Sequence, residues 1–112
     1  MAFTPAYRVI AMYLVQILLP RADNEGKPFA RGEFDRVKED LASRFEGVTA
    51  YLQAPAEGIW RGGTQAGRDD IFIFEVMTEE VDLPDWRRRQ AELERRFRQE
   101  KVIVRYMRMD LV

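Results

Sequence analysis

The stretch DIFIFEVM at residues 70–77 constrains the fold more than any other part of the chain. Side chains alternate between the two faces of a strand, and here both faces are mostly apolar. Such a strand must be covered on both sides, which predicts a central strand of a sheet whose second face is not left to water. Glu75 interrupts the apolar pattern on one face. Why a carboxylate stands there is the main functional question.

Length and composition exclude several kinds of site. The 112 residues predict a single domain, and a net charge of −1 provides no basic surface for nucleic acid as a property of the whole chain. The chain has no Cys and no His, which removes thiolate nucleophiles and the usual zinc and haem ligands. Ser43 therefore has no His to activate it, which excludes a Ser–His hydrolase. We expect no cofactor and no metal; whether any reaction is catalysed stays open.

An apolar run at residues 9–19 follows Arg8 and has some features of a signal peptide. The run is too short to cross a bilayer, and no small-residue cleavage site follows it. We therefore expect a strand at residues 13–19 in a cytoplasmic protein with no membrane partner. Residues 1–11 are expected to form an N-terminal extension to a single domain over residues 12–112.

The hydrophobic periodicity predicts two helices between four strands. Apolar residues three and four apart indicate a helix over residues 30–45, and Asp82 followed by Pro84 indicates a second helix that ends near Lys101. On that second helix, Glu92 and Glu94 stand four residues before arginines, which predicts ion pairs along the helix. The remaining strands are expected at residues 48–53, 70–77 and 102–109.

The resulting order is βαββαβ, an α+β class. Two right-handed βαβ units joined in this way give a four-stranded antiparallel sheet with strand order 4-1-3-2 and both helices on one face. The two halves also echo each other, since LASRF at residues 41–45 is similar to LERRF at residues 93–97, and Gln16 in the first strand matches Glu75 in the third.

This arrangement resembles the ferredoxin-like fold and, more specifically, the dimeric α+β barrel group, in which two sheets pack face to face around a pocket. The likeness covers residues 12–110 at the level of the fold, and no catalytic motif carries over. The tract YLVQILLPRADNEGKPF and the segment APAEGIW also resemble short uncharacterised bacterial proteins. The resemblance implies a homodimer.

The sheet face away from the helices, here called the open face, is too apolar for water and too polar for an ordinary core. We expect it to form a dimer interface that encloses a small, partly polar pocket for a small molecule. Glu75 would be a base or hydrogen-bond acceptor and Arg105 an anion anchor, with Gln16 beside them and Tyr51 and Trp60 as apolar walls. A purely structural pair of Glu75 with Arg105 or Gln16 across the dimer interface is the simpler alternative.

The connection at residues 54–69 is rich in Gly, and we expect it to be a long, mobile loop that exposes Trp60. A non-enzymatic protein-interaction module that uses this loop is the alternative function, because exposed Trp and Arg are typical of binding hot spots. RNA-recognition motifs share the βαββαβ order. Their third strand carries aromatic and basic residues where this chain has Asp70 and Glu75, so we expect no nucleic-acid partner.

Overall fold

A computed structural model describes the backbone of residues 10–59 and 68–112, and the side chains of residues 10–50 and 71–112. The elements follow the predicted βαββαβ order. Their bounds are β1 Ile10–Pro20, α1 Arg31–Arg44, β2 Gly47–Ile59, β3 Arg68–Thr78, α2 Leu83–Arg96 and β4 Ile103–Leu111.

The four strands form one antiparallel sheet with the order β2-β3-β1-β4. This is the predicted order 4-1-3-2 read from the other edge, so the predicted topology is confirmed. The central strand β1 pairs with β3 on one side and β4 on the other, and Gln16 lies opposite Glu75 and Arg105 in the two registers.

The core lies on one face of this sheet, here called the helix-covered face. Alternate residues of β1 and β3 are buried there and join the same cluster as the buried side chains of both helices. Phe34 and Phe97 meet at 5.4 Å between ring centroids, and Phe34 packs edge to face on Phe72. The buried members of this core are Val15, Ile17, Leu19, Phe34, Val37, Leu41, Phe72, Phe74, Val76, Trp86, Leu93, Phe97 and Val102.

The ends of α2 show why the helix begins where the sequence predicts and ends earlier. Asp82 caps its N-terminus, since its Oδ1 accepts a hydrogen bond of 3.2 Å from the Asp85 N–H. At the other end Phe97 is buried, and Arg98 takes a left-handed conformation with φ of 50°, so the helix stops at Arg96 rather than near Lys101. The chain therefore leaves the helix after Arg96 and leads into β4, while the Phe97 ring packs in the core.

The predicted ion pairs along α2 are wrong in their partners. Arg96 reaches across to α1, with its guanidinium 3.6 Å from a carboxylate oxygen of Glu33 and 3.5 Å from one of Asp40. Glu94 instead accepts a hydrogen bond of 3.0 Å from the Val102 N–H. Because the two helices pack together, the Arg96 guanidinium lies beside carboxylates of α1. Tertiary contacts, and not the spacing along α2, therefore decide its ion-pair partners.

The predicted loop at residues 54–69 is wrong over much of its length. β2 continues to Ile59 and β3 begins at Arg68, and the two pair from Ala56 opposite Ile71 to Ile59 opposite Arg68. A register shift between Tyr51 and Ala56 absorbs extra residues of β2, and Pro55 falls within it. Proline is tolerated at bulges and on edge strands, and β2 is an edge strand, so Gly and Pro here interrupt the pairing without ending it.

At the N-terminus, β1 starts at Ile10, two residues before the predicted domain boundary. Ile10 and Ala11 pair with Leu111 and Asp110 of β4. The connection after β1 is a turn, in which Asp23 accepts hydrogen bonds from the Glu25 and Lys27 N–H groups and Gly26 has φ of 84°. Among the described residues, no helix is long and apolar enough to cross a membrane.

Candidate functional site

Neither helix of the described residues covers the open face of the sheet, which carries many apolar side chains. The side chains in the middle of β1 and β3 are half-buried, whereas Met77 near the end of β3 and Ile103 and Met107 of β4 are exposed. Ile103 is 41% exposed and Met107 is 46% exposed. The described apolar residues of this face are Ile10, Met12, Leu14, Leu18, Ile71, Ile73, Met77, Ile103, Met107, Met109 and Leu111.

Three polar side chains lie side by side in the middle of this face. The Gln16 Nε2 donates a hydrogen bond of 2.7 Å to Glu75 Oε1, and the Arg105 Nε donates one of 2.8 Å to Gln16 Oε1. The three residues stand on the adjacent strands β3, β1 and β4, so their alignment follows from strand register alone. The prediction that Gln16, Glu75 and Arg105 are neighbours is confirmed, and this group is called the polar row below.

The two ends of the polar row carry opposite charges, and this difference decides what the row can bind. Gln16 uses its amide oxygen on Arg105 and an amide hydrogen on Glu75, so it links a cationic end to an anionic end. Neighbouring strands are about 4.8 Å apart, which separates the backbones at the two ends by about 10 Å. Arg105 is exposed and Glu75 is half-buried. The row can therefore offer donors to an anion at one end and an acceptor to a donor or cation at the other.

The other predicted site residues are described only in part. The backbone of Tyr51 pairs with Ile73, two residues along β3 from Glu75, and Trp60 lies outside the described residues. Thr49 was not predicted as a site residue, yet it lies opposite Glu75 in the β2–β3 register and is exposed. The alternation of residues along β2 could have indicated Thr49 as a site residue, because it places positions 49 and 51 on the same side of that strand.

A cavity that was not predicted from the sequence lies at the end of the domain, where α1 ends and α2 begins. It encloses about 490 Å³ and is lined by several carboxylates together with Phe45 and Trp86. These two rings stack with centroids 5.1 Å apart, and the Arg89 guanidinium lies over both.

At least one carboxylate of this cavity already forms hydrogen bonds within the fold. Asp85 accepts hydrogen bonds from Arg88 and Arg89 at 2.8 and 3.0 Å. Partial burial alone would raise the pKa of Asp85, but the hydrogen bonds from the two arginines outweigh it, so the pKa of Asp85 lies below its usual value. Within the described ranges, no group of three acidic, His or Cys side chains could hold a metal ion.

Comparison with known proteins bears on the fold. No family model and no curated protein matches the chain. Among solved structures, a phage SAM lyase in complex with S-methyl-5'-thioadenosine is similar, with a TM-score of 0.61, 11% sequence identity, and coverage of 90% of this chain and 89% of that chain. At this identity the likeness shows a shared fold, a small α+β architecture with a four-stranded antiparallel sheet.

Proposed function

We propose that the chain is a homodimer of the ferredoxin-like type that binds a small molecule at the polar row, with the sheet of the second copy closing the site. One observation carries this proposal: three polar side chains, hydrogen-bonded in sequence, occupy the centre of an otherwise apolar face. An interface that served only association would not need them, because well-packed apolar residues usually stabilise an interface as well as buried polar groups do.

The apolar part of the open face supports the second copy. Leu14, Leu18, Ile71 and Ile73 surround the polar row, and Ile103 and Met107 extend the patch to the β4 edge. A contiguous apolar patch of this extent is uncommon on monomers and is typical of an interface or a ligand site. Two copies related by a two-fold axis would cover the patch twice and leave a partly polar space between the two polar rows.

The chemistry of the polar row indicates the ligand class. Arg105 suits a carboxylate or phosphate, and Glu75 suits a cation or a hydrogen-bond donor about 10 Å away. The solved structure with a similar fold holds S-methyl-5'-thioadenosine, a nucleoside thioether. S-Adenosylmethionine combines that group with a sulfonium cation and a carboxylate, so it matches both ends of the polar row. These two compounds are the first ligands to test.

Binding of both compounds can be measured by isothermal titration calorimetry on the full chain. We expect Glu75→Gln to weaken binding at least tenfold while the melting temperature changes little, because the amide retains the shape of the carboxylate but not its charge. Glu79→Gln is the matched control, since Glu79 is exposed and stands outside the open face. A Glu75→Gln variant that loses stability and keeps its affinity would identify a structural pair instead, and a wild-type chain that binds neither compound would contradict this ligand class.

A second candidate function is cleavage of S-adenosylmethionine, the substrate named for the enzyme with a similar fold. In this reaction the bond between the sulfonium sulfur and the methionine Cγ breaks, its electron pair stays on sulfur, and the substrate's own carboxylate closes on that carbon to form a lactone. Glu75 favours this candidate, because a half-buried carboxylate that the proposed second copy would cover attracts a sulfonium centre. Chromatographic detection of S-methyl-5'-thioadenosine after incubation of the chain with S-adenosylmethionine tests this activity. Product formation lost in Glu75→Gln and kept in Glu79→Gln is the expected result, and no product from the wild-type chain would remove this candidate.

A further inference from the structure

β4 forms one edge of the sheet, and its outer side pairs with no other strand of the described chain. It matches β1 over nine successive residue pairs without a register shift and contains no Pro or Gly. Alternate N–H and C=O groups on its outer side are therefore arranged to accept another strand. The opposite edge differs, because β2 carries a register shift with Pro55 inside it, and these features discourage strand addition.

A groove runs beside the β4 edge, between that strand and the beginning of α2. It encloses about 140 Å³, the room of four or five water molecules. Two of its large side chains are exposed, Leu83 at 41% and Tyr106 at 50%. Tyr106 is held in place by an edge-to-face contact with Tyr13. The apolar lining of the groove consists of Val15, Val81, Leu83, Trp86, Val104 and Tyr106.

The one charge that lines the groove is positive. Arg87 is the one charged side chain in the groove lining given by the described residues. On the same side of β4, Arg108 follows Tyr106 by two positions, and Asp110 lies two positions further from the groove. Within the described part of the chain, neither arginine forms an ion pair. Both guanidinium groups therefore remain available to carboxylates of a partner.

We propose that β4 receives an extended acidic peptide segment of another protein as a fifth strand, with one apolar side chain of that segment in the groove. In this mode of recognition, backbone hydrogen bonds to the edge provide affinity, and a pocket for alternate side chains provides selectivity. The groove is on the helix-covered side, whereas Arg105 and Met107 of the same strand belong to the open face. A peptide at the edge and a ligand at the polar row therefore use different surfaces.

A random 12-residue peptide display library, selected against the immobilised full-length chain, tests this proposal. We expect enriched peptides to alternate apolar with polar residues and to carry excess Asp or Glu. Fluorescence anisotropy with a synthetic copy of the most enriched peptide then measures its affinity for variants. Tyr106→Asp and Leu83→Asp change the groove from two different elements, so loss of binding in both, each at least tenfold and with wild-type circular dichroism, supports the proposal.

Charge reversal provides the more selective measurement. Arg87→Glu should weaken binding of the acidic peptide at least fivefold, whereas Arg95→Glu is the matched control, because Arg95 is exposed on the same helix and does not line the groove. Equal effects of the two reversals, or enriched peptides that bind Tyr106→Asp as well as the wild-type chain, would overturn the proposal. Concentration-dependent self-association that Tyr106→Asp abolishes and Ile73→Asp does not would also overturn it, by identifying a second copy as the occupant of the β4 edge.

Discussion

The two faces of the sheet are built from the same strands, yet only one of them is completed within the described part of the chain. On the helix-covered face, Val15, Phe74 and Val76 are at most 1% exposed, and the described residues place no buried polar side chain among them. On the open face, the intervening residues are half-buried or exposed, and a row of three polar groups crosses them. The difference indicates that one face maintains the fold, and the other is the face on which we propose association and binding.

The largest expected effect comes from truncating the helix-covered face. Phe74→Ala removes a fully buried ring, and we expect the free energy of unfolding to fall by about 3 to 5 kcal/mol. Ile73→Ala, one residue away on the open face, should cost well under half of that at a concentration where the chain is monomeric. Urea unfolding of both variants measures the contrast, and equal losses would contradict the distinction between the two faces.

The next effect concerns association through the open face. Ile73→Asp places a charge beside the polar row, where the proposed second copy would bury it, so the variant should sediment as a single chain of 13.2 kDa while the wild-type chain sediments at twice that mass. Circular dichroism checks that the variant is folded. A wild-type chain that sediments at 13.2 kDa at micromolar concentration would rule out the dimer.

A smaller effect is expected from the centre of the polar row. Gln16→Leu removes the partner of both Glu75 and Arg105, and we expect it to lower the free energy of unfolding by about 1 to 3 kcal/mol. Leu18→Gln, two residues along β1, makes the opposite exchange on the same face and gives the matched comparison. If Gln16→Leu raises stability instead, then the polar row weakens the fold and its presence requires a functional explanation.

The smallest effect is a dependence on acid. Because the pKa of Asp85 is lowered on folding, this group contributes stability above its unfolded pKa, near 3.9, and the contribution disappears as the pH falls through the folded value. Asp85→Asn should therefore destabilise the chain at pH 6 by about 1 kcal/mol or less, and the difference should shrink towards pH 2. Thermal unfolding across this range measures it, and a difference that grows in acid would contradict the assigned sign.

Much of the fold could be predicted because its determinants are local in sequence. Alternation in β1 and β3, the apolar spacing of α1 and the Asp82 cap each depend on a few neighbouring residues. The polar row was also predictable, since strand order and the phase of the alternation place Gln16, Glu75 and Arg105 together.

The features that escaped prediction depend on contacts between distant parts of the chain. Arg96 pairs with α1 because the helices pack together, and α2 ends early because Phe97 enters the core. The extension of β2 past Pro55 depends on pairing with β3, which outweighs the local turn signals. The end cavity with the Phe45–Trp86 stack is formed where the end of α1 meets the beginning of α2, so no single segment of the sequence predicts it.

The hydrogen bonds of Gln16 also settle a choice that the apolar pattern leaves open. Sliding β3 or β4 along β1 by one residue would move apolar side chains to the wrong face, but a slide of two residues would keep every side chain on its own face. Such a slide of β3 would set Gln16 against Ile73 or Met77 instead of Glu75, and the Gln16 Nε2 would lose its acceptor. The same slide of β4 would set Gln16 against Ile103 or Met107 instead of Arg105. The partners of Gln16 are 59 and 89 residues away in sequence. This one amide therefore favours the observed registers of β3 and β4 against β1, between segments that meet only when the sheet is complete.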